Sequence, residues 1–168
     1  ATLAKAGKPA RVILKMNALV EPESINALYQ ASQAGVQIDL IVRGVCALRP
    51  GVPGISDNIR VRSIVGRFLE HSRIFYFANG QENPHDGDYF IGSADWMHRN
   101  LATRVEAIAP VEEHSHKDRI YEFLQIMIED HRQGWEMRSD GTYHRSKLKH
   151  PKKEHGTHLA LMMKARSR

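Results

Sequence analysis

The sequence predicts an α/β protein: one mixed β-sheet with helices packed on it. Three observations point there. A strand–helix–strand pattern fills residues 11–42. Four further strand-like runs follow between residues 59 and 111. Residues 116–131 then repeat apolar side chains at helical spacing.

The elements justify this in order. Residues 1–10, "ATLAKAGKPA", form a short leader without the apolar core of a secretory signal. They begin without methionine, as expected of a segment cut from a longer chain. "RVILKMN" (11–17) is β-branched and apolar at its start and reads as a strand. In "EPESINALYQASQAG", Pro22 suits a first helical position, Ile25, Leu28 and Tyr29 share one face, and Gly35 suits the stop. "VQIDLIV" (36–42) is the second strand, and such a unit gives a parallel pair through a right-handed crossover. "RPGVPG" (49–54) is a Pro/Gly loop. "IRVRSIV" (59–65) alternates like a strand with one exposed face, and "RIFYFA" (73–78) is another strand. A turn-rich excursion (79–88) separates it from "YFIGSA" (89–94), and "TRVEAIAPV" (103–111) reads as a further strand. The 116–131 helix buries Ile120, Phe123, Leu124, Met127 and Ile128. Residues 135–145 form a hairpin about Asp140-Gly141. Residues 146–168 are basic and His-rich and are expected to be a mobile tail, leaving 11–145 as the domain.

Composition narrows the function. The 168 residues are long enough for one real core, and no apolar run approaches a membrane span. The single cysteine, Cys46, cannot form an internal disulfide, which fits a reducing, cytosolic setting. The net charge of +5 is a tail property: residues 138–168 hold nine Lys/Arg against two Asp/Glu, and residues 1–137 hold 15 against 17. One local exception stands out. Six arginines (43, 49, 60, 62, 67, 73) face only Asp57 and Glu70 between positions 43 and 73. Such a cluster points to phosphate or another anion, or else to a solvated charged face. A P-loop, a Gly-rich dinucleotide loop and a nucleophile elbow are all absent.

Ligands of open α/β sheets gather where strands end and loops begin. Arg43 follows "IDLIV" at such an end. His71 and Arg73 stand at the mouth of "RIFYF", and Gly92-Ser93-Ala94-Asp95 closes "YFI". Histidine can carry a proton near neutral pH or attack phosphorus, and arginine can fork onto phosphoryl oxygens. The assembly therefore suits phosphoryl chemistry better than acyl transfer. Ser93 can equally serve a backbone turn. Glu70 would raise the pKa of His71 if their side chains approached, although adjacent strand residues point apart. His98, His114, His116 and His131 are expected at the surface. His144, His150, His155 and His158 do not follow a zinc spacing.

"HSR" before a strand, with "GSAD" after the next, resembles a variant of the HxK…GSxN signature of the phospholipase D superfamily. More specifically, "KMNALVEPESINALYQASQAGVQIDLIVRG", "LRPGVPGISDNIRVRSIVGRFLEHSRIFYF" and "YFIGSADWMHRNLATRVEA" resemble the C-terminal phospholipase-D-like domain of bacterial polyphosphate kinases, the long-chain-synthesising type. The resemblance runs from about Arg11 to Arg145. It implies a phospholipase-D-like mixed sheet with flanking helices.

It also implies reversible transfer of the terminal phosphoryl group of ATP to polyphosphate, using Mg²⁺. The phosphohistidine and the metal ligands would belong to a preceding domain, leaving no metal site on this chain. His71 becomes the partner histidine, Arg73 a second catalytic group, and Arg43 and His71 the nucleotide-phosphate contacts. Arg73 stands where the superfamily has lysine, and the superfamily's following aspartate falls at Ala78. Both departures argue against phosphodiester hydrolysis. The partners implied are ATP/ADP, polyphosphate, the preceding domains and further copies in a homo-oligomer, without nucleic acid. The location implied is cytoplasmic, peripheral to the inner membrane. The competing readings are a homodimeric phospholipase-D-like phosphodiesterase or nuclease, and a non-catalytic polyanion-binding module.

Overall fold

The computed structural model describes residues 1–146 and 155–167. Eight strands form one mixed sheet: β1 (Arg11–Met16), β2 (Gln37–Val42), β3 (Ile59–Ile64), β4 (Arg73–Phe77), β5 (Asp88–Gly92), β6 (Ile108–Pro110), β7 (Gly134–Met137) and β8 (Tyr143–Arg145). Their spatial order is β6-β5-β4-β1-β2-β3-β7-β8. β1, β2 and β3 run parallel, and the remaining pairings are antiparallel.

Helices cover both faces. α1 (Thr2–Lys5) lies in the leader, where Ala4 packs against the core. α2 (Pro22–Gln33) starts on Glu21, whose carboxylate accepts the amides of Glu23 and Ser24. It covers Leu14, Met16, Ile38, Leu40, Ile59 and Val61 on one face. α4 (His114–Ile128) covers Ile13, Ile41, Ile64, Ile74 and Tyr76 on the other, through Leu124 and Met127. The alternation along each strand sends successive side chains to these two opposite layers.

Two expectations are corrected. The strand expected over 103–111 begins only at Ile108, because residues 98–103 form α3 (His98–Thr103). Asn100 of α3 is buried and binds Glu106, which folds 104–107 into a loop. The tail expected to be mobile contains α5 (Thr157–Arg166), packed beside α4. Its anchor is Asp130, whose Oδ2 accepts both the amide and the hydroxyl of Thr157 at 2.6 Å. The part of that expectation that falls on residues 147–154 lies outside the described residues.

Candidate active site

The register brings the sequence-predicted residues to one end of the sheet. β1, β2 and β3 finish there, and β4, running the other way, begins there with Arg73. Arg73 pairs with Gly92, the last residue of β5, so "HSR" and "GSAD" lie side by side.

Asp95 organises this end. It is only 4% exposed. Its Oδ1 accepts the amides of Asn17 at 2.7 Å and Ala18 at 3.2 Å, at the exit of β1. Arg73 grips both carboxylate oxygens, Nε to Oδ1 at 3.2 Å and Nη2 to Oδ2 at 2.8 Å. Burial alone would raise the Asp95 pKa, but Arg73 and the two amides outweigh it and hold it below the ordinary value.

The same guanidinium holds His71. Nη1 donates to the His71 carbonyl at 3.1 Å, and Nη2 lies 3.2 Å from the ring Nε2. Arginine can only donate, so Nε2 accepts and the ring proton sits on Nδ1. The His71 side chain itself is exposed.

Arg43 joins through Asn17, whose Oδ1 accepts from Nη2, while Ser63 Oγ donates to the Arg43 carbonyl at 3.1 Å. Gly44 next to it donates to the Asn17 carbonyl at 2.8 Å. A Cβ at Gly44 would sit 2.9 Å from that oxygen, so the close approach of the two chains calls for glycine. Arg43, Asn17, Asp95, Arg73 and His71 thus form one continuous chain of hydrogen bonds.

Sequence reasoning missed a second set of residues beneath this chain. Lys15 lies in the apolar run of β1, 3% exposed, and donates from Nζ to the Ser72 carbonyl at 2.8 Å. It also pairs with Glu70. The other Glu70 oxygen accepts from the Ser72 amide at 3.0 Å and the Ser72 hydroxyl at 2.5 Å. Glu70 therefore turns to Lys15 and Ser72 and not toward His71. Burial lowers the Lys15 pKa against the opposing pull of Glu70. Burial would raise that of Glu70, yet the bonds from Lys15 and Ser72 bring it down. The residues on both sides of His71 are thereby tied to β1. The signal in the sequence was a lysine where the strand pattern calls for an apolar residue.

Ser93 has a structural part: its hydroxyl donates to Glu106 and accepts the Ala107 amide at 3.0 Å. The arginine cluster does not converge. Arg62 spends its guanidinium on carbonyls at the end of α4 and on Glu136, and Arg49 donates to the Ser139 carbonyl. Arg67 lies over the ring of Phe68, and Arg60 is exposed on β3. Only Arg43 and Arg73 of the six belong to the bonded chain described here. Ala78 is buried at the far end of β4. His158, in the segment expected to be a mobile tail, is buried. Burial pushes the Cys46 thiol up to about 11, partly countered by its bond to the Leu48 carbonyl.

Among the described residues no group of three or more His, Cys, Asp or Glu could hold a metal ion. The carboxylates at this end are already engaged by Arg73, Lys15, Ser93 and Asn100. The donor set does not suit Mg²⁺. What the arrangement offers is a fixed imidazole with an N–H to donate, flanked by guanidinium charge, at an open strand end.

Comparison with known proteins identifies the family of the chain. The sequence model of the family described as polyphosphate kinase C-terminal domain 2 matches residues 1–157. The polyphosphate kinase of Thermosynechococcus vestitus is 57% identical over 159 residues, covering 95% of this chain and 21% of its own length. That of Burkholderia lata is 60% identical over 144 residues, covering 84% of this chain and 20% of its own. The chain thus spans about a fifth of the length of these relatives. The crystal structure of polyphosphate kinase from Porphyromonas gingivalis superposes with a TM-score of 0.89 at 38% identity, over 99% of this chain and 25% of that one. A phospholipase D family member, Nuc from Salmonella typhimurium, superposes with a TM-score of 0.58 at 15% identity, over 82% of this chain and 90% of that one, a likeness of fold alone. On the strength of the sequence match over residues 1–157, this chain belongs to the polyphosphate kinase C-terminal domain family, built on a phospholipase D-like α/β fold.

Proposed function

We propose that this chain forms one wall of the active site of a polyphosphate kinase, which reversibly transfers the terminal phosphoryl group of ATP to polyphosphate. The observation that carries the reading is the bonded chain from Arg43 to His71 at one sheet end, in a domain 57–60% identical to polyphosphate kinases.

The roles follow from the bonding. Arg43 offers guanidinium charge to nucleotide phosphate. His71 donates a hydrogen bond from Nδ1 to the transferring phosphoryl group or the departing ADP oxygen, where negative charge develops. Acting as a full acid would require a protonated Nε2, hence a ring turned away from Arg73. Arg73 has its three guanidinium nitrogens bonded to Asp95 and His71, which favours holding the imidazole over gripping phosphate. The nucleophilic histidine and the Mg²⁺ ligands are placed in the preceding domain of the same enzyme. Exposed Val65, Phe68, Leu69, Val105 and Ile108 around the site supply an apolar rim for that neighbour. The single, half-buried cysteine fits a reducing, cytoplasmic setting for that enzyme. Among the described residues no helix is long and apolar enough to cross a membrane.

The test compares the full-length protein with this chain alone. Full-length protein should extend polyphosphate from labelled ATP and carry phosphohistidine, and this chain alone should do neither. Polymer growth by the chain alone would refute the division of labour. Metal-independent cleavage of a phosphodiester by the chain alone would favour the phosphodiesterase reading instead.

A further inference from the structure

α5 begins where the chain returns to the site. Asp130 closes α4 and accepts from the amides of Arg132 and Gln133 at 2.7 Å, besides its two bonds to Thr157. Gln133 Oε1 in turn accepts the His158 amide at 3.1 Å. These bonds press the His158 ring against Phe68, with centroids 5.4 Å apart. Its Nδ1 accepts the Phe68 amide at 3.0 Å. A backbone amide only donates, so Nδ1 carries no proton and the ring proton is on Nε2.

Phe68 belongs to the segment between β3 and β4 that carries Glu70, His71 and Ser72. That segment pairs with no strand, and it exposes Phe68 and Leu69. Its backbone is tied at Val65 to the Gln133 carbonyl at 3.2 Å and at Phe68 to His158. Both ties lead to the same corner, where the residues just after α4 meet the start of α5. His158 also lines, with Lys15, Arg43, Glu70 and Met127, one small cavity beneath the site. The family match ends at residue 157, one position short of this histidine.

We propose that His158 is a positioning residue for His71: by holding the Phe68 amide it fixes the loop that presents the imidazole, so that α5 sets the geometry of the reacting group. This rests on the reading of the chain as a polyphosphate kinase domain. Moving a hydrogen-bonding group by a fraction of an ångström lowers turnover more than binding, because the contact matters most in the transition state.

The experiment uses the full-length enzyme with His158→Leu, His158→Asn and His158→Gln. Asparagine places an oxygen close to the Nδ1 position, glutamine places its acceptor one bond further out, and leucine removes it. The readouts are steady-state polyphosphate synthesis and hydrogen exchange of peptides covering residues 65–72. His158→Leu should lower kcat about tenfold, with KM for ATP changed less than about twofold, and should speed exchange over 65–72. His158→Asn should restore both. Unchanged kcat in a folded His158→Leu enzyme would overturn the proposal. If leucine unfolds the domain, with faster exchange in β1 and β2 as well, the comparison passes to Gln and Asn: equal kcat in those two overturns it, and a loss confined to Gln supports it. Failure of the wild-type protein to make polyphosphate would count against the proposed function, while the exchange data would still report on the loop.

Discussion

Replacing Asp95 with asparagine should destabilise the domain far more than the single atom exchanged suggests. The new side chain keeps one oxygen, which can still accept the Asn17 and Ala18 amides at the Oδ1 position. The other position becomes an NH₂ facing Arg73 Nη2, now donor against donor where a 2.8 Å ion pair stood. The partners are nearly enclosed, with side-chain exposures of 14% for Arg73 and 6% for Asp95. Removing one member of a buried pair costs about 3–5 kcal/mol, and the lower end applies because Arg73 keeps its bond to the His71 carbonyl. For a domain of this size, about 3 kcal/mol corresponds to a fall in Tm of about 6–12 °C. Thermal unfolding followed by circular dichroism reads it directly. The effect must also vary with pH. The folded-state pKa of Asp95 lies below its ordinary value. The ionised carboxylate therefore contributes stability that is present above about pH 4 and lost as pH falls through the folded-state value. The gap in Tm between wild type and Asp95→Asn should shrink on acidification through that window. A drop of less than about 2 °C at neutral pH, or a gap that widens in acid, would refute the assignment of Asp95 as the charged anchor.

His71→Ala in the full-length enzyme should cut kcat by about 10²–10⁴-fold while leaving Tm within about 1 °C, since the side chain is exposed; a large Tm shift would assign it to the fold. Arg43→Ala should cost about 2–4 kcal/mol in kcat/KM for ATP, with lysine recovering only part; wild-type kinetics would remove Arg43 from the site. Gly134→Ala should lower stability by about 3 kcal/mol, because the added Cβ would lie 2.2 Å from the backbone oxygen of Asp130; an unchanged denaturant midpoint would show that this corner yields.

The sheet was legible because its strands are short apolar, β-branched runs, one of which (59–65) alternates, and the parallel pair because a helix with clear start and stop signals joins its members. Arg43, His71 and Arg73 were legible because strand-end position and residue type coincide. Three kinds of feature were not. Helix α5 lacks a strong amphipathic stripe and sits in a basic segment, so composition read as a tail what one buried carboxylate, Asp130, ties down. The break of the 103–111 strand depends on Asn100 and Ser93 capturing Glu106, a contact among residues up to 13 positions apart that periodicity does not register. Lys15 is paired with Glu70 across 55 positions, and only the fold brings them together. The arginine cluster misled for the converse reason: nearness in sequence put six cations in one count, while strand alternation and loop direction sent four of them elsewhere.

The bond between Phe68 and His158 spans 90 residues, and its acceptor is made long after its donor. His158 is translated 63 positions after Asp95, the last member of the chain of bonds at the strand ends. At about 5–20 residues per second, a nascent chain spends roughly 3–13 s with that network synthesised and the histidine still missing. During this interval the loop bearing His71 lacks its tether to α5, and the Phe68 ring lacks the imidazole it packs against in the finished fold. Completion of the loop is therefore an event of late synthesis. Any agent that stalls translation after Arg145 and before His158 would leave a nascent chain with β1 to β8 synthesised and the loop bearing His71 untethered from α5.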